Sequence, residues 1–358
     1  MSKRVRILAL ASYPVESAST RYRIAQFIEP LARRGIDLTL SPFLDAVLFT
    51  DLYAPGRLLR RTPRLLLATL RRLGAILRAA RADAVFVQRE AMLFGPPLIE
   101  WAAARVLRRP MVLDLDDATW LPYPSPVYGR LAALMKGKGK TERLIRWSRA
   151  VTCGNPNIAA DVRSRGAEAV LLPSAVDLRL FHPRETASAA RGDVLRIGWI
   201  GTHTTYPFLE RLQPVFDRLA REHRFQLEII GSGRPGVDTR PWSMSTEAED
   251  IRSFDVGVYP LTNDEWNARK SGLKAVQYMA SGVPFVMSPV GVCATIGVPG
   301  ETHFPATTDE EWLAALRRLL TDAELRRRMG QAGRAFAEED HSLERAADVL
   351  AAVFLRLV

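Results

Sequence analysis

Two lysines bracket a glycine where an apolar, helix-periodic run begins: Lys270-Ser-Gly272-Leu273-Lys274, continuing as Ala-Val-Gln277-Tyr-Met-Ala280. The first N–H groups of a helix lack intrahelical partners, and the helix dipole adds positive potential there, so such a start favours an anion. Glycine lets a phosphate approach the backbone, and Lys270 and Lys274 would bring mobile point charges to the same oxygens. The pattern suits a diphosphate. Gly201-Thr202-His203, just after the apolar run Leu195–Ile200, would add further donors.

A second constellation is acidic. Asp114-Leu-Asp116-Asp117 closes the run Pro110-Met-Val-Leu. Carboxylates grouped at the end of a strand are costly unless something uses them, and open α/β sheets bind ligands beyond the carboxyl ends of their strands. Hydroxyls of a ligand, held by Asp116 or Asp117, are the preferred use. A metal ion is the lesser alternative, and for Asp117 a capping role before Ala118-Thr119-Trp120 competes. Ser17-Ala-Ser19-Thr20-Arg21-Tyr22-Arg23, after the first apolar run, reads as a loop whose hydroxyls and arginine forks suit phosphate. Arg89 and Glu90 follow the run Ala84–Val87 and point to the same crevice.

These residues need a scaffold, and the chain supplies an alternating one. Apolar runs at Val5–Leu10, Leu38–Leu40, Ala84–Val87, Met111–Leu115, Val151–Cys153 and Val170–Leu172 predict buried parallel strands, with helices at Ala25–Arg34 and near Pro97–Leu107. A second series follows. Strands are expected at Leu195–Ile200, Gln226–Ile230, Val256–Tyr259 and Phe285–Ser288, and helices at Leu209–Arg221, Leu273–Ala280, Glu310–Leu320, Ala323–Glu338 and Leu343–Val358. Thr186–Gly192, small and polar, reads as a linker. The 358 residues exceed what one core usually holds. The expected fold is therefore α/β with two Rossmann-like domains, 1–185 and 186–340, and a last helix at 341–358.

Gly231-Ser-Gly-Arg-Pro-Gly236 matches G-x-G-x-x-G but opens no helix, because Pro235 precedes the last glycine and Val-Asp-Thr-Arg-Pro241 follows. A strand-end turn accounts for it better than a dinucleotide site. Cys153 and Cys293 are the only cysteines and lie far apart, which suggests neither a disulfide framework nor a zinc site. No stretch has the roughly 18 apolar residues that span a bilayer. The N-terminus reads as a buried strand rather than a signal peptide, and a cytoplasmic protein is expected.

The net charge of +11 favours anionic partners. Between Leu52 and Ala82 stand eight arginines and no acidic residue. At helical spacing Leu66, Leu70, Leu73, Leu77 and Ala80 form one stripe, with Arg64, Arg71 and Arg78 nearly opposite. Two readings stand: a core-facing helix with a solvated basic back, or the same helix resting its arginines on an anionic membrane surface. In either, the leucines are expected to pack on the first domain.

Leu172-Pro-Ser-Ala-Val-Asp177 with Phe181-His-Pro183, the glycine-bearing Ile197–Thr202, and Lys270–Val286 with its Met-Ala-Ser-Gly-Val-Pro resemble the segments of retaining family 4 glycosyltransferases, which have the GT-B fold. That likeness implies two Rossmann-like domains facing each other across a cleft, 1–185 for the acceptor and 186–340 for the donor, with the helix 341–358 crossing back to the first. Ser288-Pro-Val-Gly291 and Leu325–Arg334 continue the likeness. The resemblance implies transfer of a sugar from a nucleoside-diphosphate sugar to an acceptor hydroxyl, with retention and without a metal or other cofactor. Lys270, Lys274, Gly272 and Leu273 would take the diphosphate, and Gln277 the ribose. Asp116 stands where the family has a sugar-contacting histidine. Arg269 stands where the family has the first glutamate of a pair, so its role must be lost or pass elsewhere, for example to Glu265. Ser19, Thr20, Arg21, Arg23 and Arg89 would serve a glycan or lipid-linked acceptor. Rival readings are an epimerase or phosphorylase on the same fold, and a basic nucleic-acid-binding protein. No RNA-binding signature or zinc finger supports the last, so no nucleic-acid partner is expected.

Overall fold

Continuous aliphatic runs form two all-parallel sheets in a computed structural model that describes residues 4–52, 58–121, 137, 139–184, 194–232 and 236–358. The linker expected at 186–192 lies outside them. The first sheet contains β1 (Val5–Ala11), β2 (Ile36–Pro42), β3 (Ala84–Gln88), β4 (Met111–Leu115), β5 (Ala150–Cys153) and β6 (Ala169–Leu171), in the order β2-β1-β3-β4-β5-β6. The second contains β7 (Leu195–Ile200), β8 (Phe225–Ile230), β9 (Val256–Tyr259), β10 (Phe285–Met287) and β11 (Phe304–Pro305), in the order β11-β10-β9-β7-β8. Each sheet reverses its strand order beside its first strand, between β1 and β3 in one and β7 and β9 in the other. Doubly wound sheets bind ligands at that switch point, beyond the carboxyl ends of the strands.

The chain divides into two units, Met1–Ser174 with Arg269–Ser271 and Leu343–Val358, and Ala175–Ala268 with Gly272–Ser342. In the first unit Leu8, Leu10, Val85, Val87, Leu113 and Val151 pack one face of the sheet. The C-terminal helix Leu343–Leu357 belongs to this unit: Phe354 meets Phe86 edge to face at 5.3 Å, and Arg34 pairs with Asp348 at 2.7 Å. In the second unit Ile197, Trp199, Val256, Val258 and Val286 meet Leu313, Leu316 and Leu319 of the helix Asp309–Thr321. Thr308 and Glu311 close a capping box at the start of that helix.

Prolines explain where expected helices break. Pro30 lacks the N–H that would bond residue 26, and the stretch Ala25–Arg34 is a 3-10 turn, Ala25–Phe27, followed by the helix Ile28–Arg33. Pro214 likewise clashes with a helix carried through residue 210, giving the helices Tyr206–Glu210 and Gln213–Leu219 in place of Leu209–Arg221. Ala18–Arg23, expected as a loop, is a short helix.

The long helix Leu58–Arg81 corrects the expected packing. Its leucines do not face the core: Leu66, Leu70, Leu73 and Leu77 are exposed. The buried row is Ala68, Arg72, Ala75 and Ala79, with Ala82 just beyond the helix. Ala75, Ala79 and Ala82 join the cluster formed by Leu8, Leu10, Val85 and Val87, where small side chains allow close approach to the sheet. Arg72 is only 2% exposed and donates to the carbonyls of Ser41 at 2.9 Å and Ala11 at 2.8 Å. Burial pushes its guanidinium down to about 10. Arg64, Arg71 and Arg78 are exposed as expected, and Arg78 also reaches back to donate to Ser41 Oγ at 3.1 Å. Among the described residues no helix is long and apolar enough to cross a membrane.

Candidate functional site

At the end of β4 the first unit gathers its charges. Asp114 is fully buried and bound by the fork of Arg23, with Nε at 3.0 Å and Nη2 at 2.5 Å, while Thr152 Oγ1 donates at 2.6 Å. Burial disfavours the Arg23 cation, but Asp114 overrides that and raises its affinity for the proton. Arg23 Nη1 also donates to the Leu172 carbonyl at 2.7 Å. Arg23 is therefore turned into the protein, away from any loop phosphate, and the use the buried Asp114 needed is this ion pair.

Asp116 and Asp117 share a different arginine. Arg89 donates from Nε to Asp116 Oδ1 at 2.6 Å, from Nη2 to Asp116 Oδ2 at 2.8 Å, and from Nη2 to Asp117 Oδ2 at 2.5 Å. Gln88 Nε2 adds a bond to Asp116 Oδ1 at 3.1 Å. Arg89 has φ 60°, a left-handed conformation that costs an L residue about 1–2 kcal/mol. Its N–H donates to the Asp114 carbonyl at 2.9 Å, and two carboxylates fix its fork, so the fold holds it there. Burial pushes the Asp116 carboxyl up, but Arg89 outweighs it and holds Asp116 below the ordinary carboxylate range. For Asp117 burial wins, and its carboxyl is raised; Arg89 and, more weakly, Lys270 oppose the shift.

Lys270 joins this unit through the segment Arg269–Ser271. Ser271 Oγ donates to the Asp116 carbonyl at 2.7 Å, Asn155 Nδ2 to the Arg269 carbonyl at 2.7 Å, and Ser174 Oγ to the Ser271 carbonyl at 2.9 Å. Arg269 pairs with Asp161 at 2.7 Å. In the helix Ala18–Arg23, Thr20 Oγ1 donates to the Tyr13 carbonyl, Arg21 donates to the Val15 and Glu16 carbonyls, and Ser19 shares a hydroxyl contact with Ser17. Glu90 is buried against Lys140 at 3.0 Å. Among the described residues no group of three or more His, Cys, Asp or Glu is placed to hold a metal ion.

The second unit supplies the helix start. Gly272 sits at φ 65° and opens the helix Leu273–Ala280 with no side-chain cap. A Cβ there would be strained and would come within 3.3 Å of Val292 Cγ1. Lys274, one residue into the helix, holds its Nζ over the rings of Tyr259 at 5.3 Å and Trp199 at 5.7 Å. The indole takes that place because residue 201 is glycine: a Cβ would lie 2.3 Å from the Trp199 ring. Thr202 and His203 are exposed in the loop after β7, with the Thr202 N–H donating to Thr205 Oγ1 at 3.1 Å. Burial lowers the His203 imidazole, which is neutral at pH 7. Gln277 is buried and donates to Glu247 Oε1 at 3.3 Å. Glu265 lies on the surface. Gly231 turns at φ 79° under Gly201 and Trp242 at the end of β8, and 236–241 form no helix. Residues 233–235 of the glycine motif lie outside the described residues.

Residues 195–322 match the family model for glycosyl transferases group 1. Apart from Arg269–Ser271, the matched segment lies within the second unit. Over the whole chain, the structure resembles HepE from Anabaena in complex with UDP and glucose, at 14% identity and TM-score 0.67, covering 99% of this chain and 100% of that one. It resembles sucrose-phosphate synthase from Thermosynechococcus elongatus at 15% identity and TM-score 0.71, covering 99% of each. A Rickettsia africae glycosyltransferase aligns at 11% identity and TM-score 0.70, over 100% of this chain and 99% of that one. These likenesses show the fold, GT-B with two Rossmann-like domains. No curated protein matches the chain in sequence.

Within the matched segment two features escaped sequence reasoning. Glu247 lies in no motif, and only its position beside Gln277 brings it forward. The aromatic seat of Lys274 is assembled from two strands, and its sequence signal was the obligatory glycine two residues after Trp199.

Proposed function

We propose that the chain is a retaining glycosyltransferase that moves a sugar from a nucleoside-diphosphate sugar to a hydroxyl of a glycan or lipid-linked acceptor. The observation that carries the donor half is the uncapped, glycine-opened helix at Gly272, with Lys274 seated beside it, inside the segment that matches the family. HepE, of the same fold, has been solved with UDP, with UDP and glucose, and with UDP-glucose, which supports a nucleoside diphosphate in this role. The helix N-terminus, Lys270 and Lys274 stabilise charge as it grows on the leaving diphosphate, in place of a divalent ion. Gly201 keeps its N–H on the Ile230 carbonyl, so the Thr202 hydroxyl and the His203 ring contribute the further donors to the same phosphates.

Gln277 and Glu247 form the ribose end. The Gln277 amide can donate to one hydroxyl, and Glu247 supplies the carboxylate acceptor that residue 277 lacks. In the first unit, Asp116 is held ionised by Arg89 and accepts from sugar or acceptor hydroxyls near the reacting carbon, with Asp117 beside it. Ser19, Arg21 and Arg89 border the acceptor region; Thr20 and Arg23 support it from within. The carboxylates of Asp116 and Asp117 are engaged by Arg89, and the reaction assigns no protein nucleophile. The acceptor oxygen attacks the anomeric carbon on the face the diphosphate leaves, and the departing phosphate oxygen takes the acceptor proton.

A thermal-shift screen against nucleoside diphosphates and their sugars tests this directly, because a ligand that binds only the folded state raises Tm. At about 100 times Kd the gain is roughly 2.7 kcal/mol. A flat response to every nucleotide would defeat the donor site. Nucleotide release that is equally fast with and without acceptor would favour hydrolysis or epimerisation over transfer.

A further inference from the structure

The ammonium of Lys274 lies at the switch point of the second sheet. Trp199 is the penultimate residue of β7 and Tyr259 the last of β9, the two strands between which that sheet reverses its order. Lys274 Nζ stands 5.7 Å from the centroid of the Trp199 ring and 5.3 Å from that of Tyr259. Both distances fall within the roughly 6 Å over which a ring quadrupole attracts a cation. The rings are buried, Trp199 1% exposed and Tyr259 5%, so their planes are set by the core. Tyr206 meets the indole edge to face at 6.1 Å, and Gly201 leaves it room, since a Cβ there would lie 2.3 Å from it.

We infer that Trp199 and Tyr259 are positioning residues for the donor diphosphate, acting through Lys274. Their faces hold the ammonium at the crevice beyond the strand ends, beside the uncapped N–H groups that Gly272 opens. A lysine side chain in water samples many rotamers, and fixing it on a ligand costs that freedom. On the rings much of the freedom is already lost on folding, so the phosphates meet a cation in place. Ring faces attract a cation without cancelling its net charge, and the ammonium they hold still attracts phosphate oxygens. The inference rests on the reading of this helix start as the diphosphate site, and the experiment separates the two.

Calorimetry on the full chain with inorganic diphosphate tests it, because that probe needs no nucleobase. Tyr259→Phe keeps the ring face and should bind within about twofold of wild type. The same substitution carrying one, two and three ring fluorines keeps the shape while draining the quadrupole. Affinity should fall step by step, about two- to fivefold over the series. Lys274→Met should bind about tenfold more weakly than wild type, and in that background the fluorine series should be flat. A ring that only filled the core would give no such coupling to the lysine. Trp199→Phe, read in the same two backgrounds, should likewise lose affinity only where Lys274 is present. Affinity that ignores fluorination, while Lys274→Met weakens binding, would overturn the inference and leave the diphosphate site standing. Affinity that rises with fluorination would show the rings competing with the ligand for the lysine, and would overturn it too. A wild type that fails to bind, or a Lys274→Met variant that binds equally well, would bring down the diphosphate site and the inference together.

Discussion

Asp116 and Asp117 share one arginine, and exchanging each for asparagine should have opposite consequences for stability. Arg89 makes two bonds to Asp116, at 2.6 Å and 2.8 Å, and one to Asp117, at 2.5 Å. A hydrogen bond to a charged group contributes about 1.5–3 kcal/mol, and asparagine keeps only one of the two acceptor oxygens and no charge. Asp116→Asn should therefore cost about 2 kcal/mol at pH 7, a Tm loss of about 4–8 °C at the 2–4 °C per kcal/mol typical of chains this long. The folded state lowers the Asp116 pKa, so its contribution is complete above the unfolded value of about 3.9 and is lost as pH falls through the lower folded value. Asp117 has the opposite sign. Its folded pKa is raised, so its ionisation costs stability as pH climbs from about 3.9 through the folded value. Asp117→Asn should then be neutral or stabilising at pH 7. Thermal unfolding of both variants between pH 3 and 8 reads this. Equal Tm values at pH 7, or a gap of full size persisting at pH 3, would refute the assignment of Arg89 chiefly to Asp116.

Lys270→Ala, and to a lesser degree Lys274→Ala, should lower turnover at least tenfold without loss of fold, since one preorganised donor is worth about 3 kcal/mol at the transition state; wild-type rates in both would remove the diphosphate site. Gly272→Ala should cost about 1–2 kcal/mol of stability for the left-handed backbone, read by denaturant titration, and weaken nucleoside diphosphate binding by calorimetry more than it weakens binding of the bare nucleoside. Glu247→Gln should weaken nucleoside diphosphate binding about tenfold and leave inorganic diphosphate binding unchanged; an equal loss for both ligands would place Glu247 outside the ribose site.

Strands were legible because a parallel strand buried on both faces is one unbroken apolar run, and periodicity has nothing to confuse there. The short β11, Phe304–Pro305, carries too little sequence to announce itself. The helix start carried by a glycine was equally plain, as at Gly272. Continuity was not, because Pro30 and Pro214 were counted inside helical periods they interrupt. The acidic cluster was found as residues but not as pairs. Asp114, Asp116 and Asp117 stand together in the sequence, whereas Arg23 and Arg89, which divide them into a buried support and an open pair, arrive from two other strand ends. Topology alone brings β1, β3 and β4 side by side.

The long basic helix shows how a correct period can carry a wrong phase. Leu66, Leu70, Leu73 and Leu77 repeat at helical spacing, but so do Ala68, Arg72, Ala75 and Ala79, and a periodicity argument awards the core to the larger side chains. Packing against a sheet reverses that choice. Alanines let the helix settle onto the strands, and Arg72 follows them inside because the carbonyls of Ser41 and Ala11 stand ready to accept its donors. Leucines in the same positions would hold the helix off the sheet and leave those carbonyls covered by apolar atoms. The leucines on the open side then have no packing explanation, and each, about half exposed, forgoes roughly half of the 1.5–3 kcal/mol that full burial would contribute.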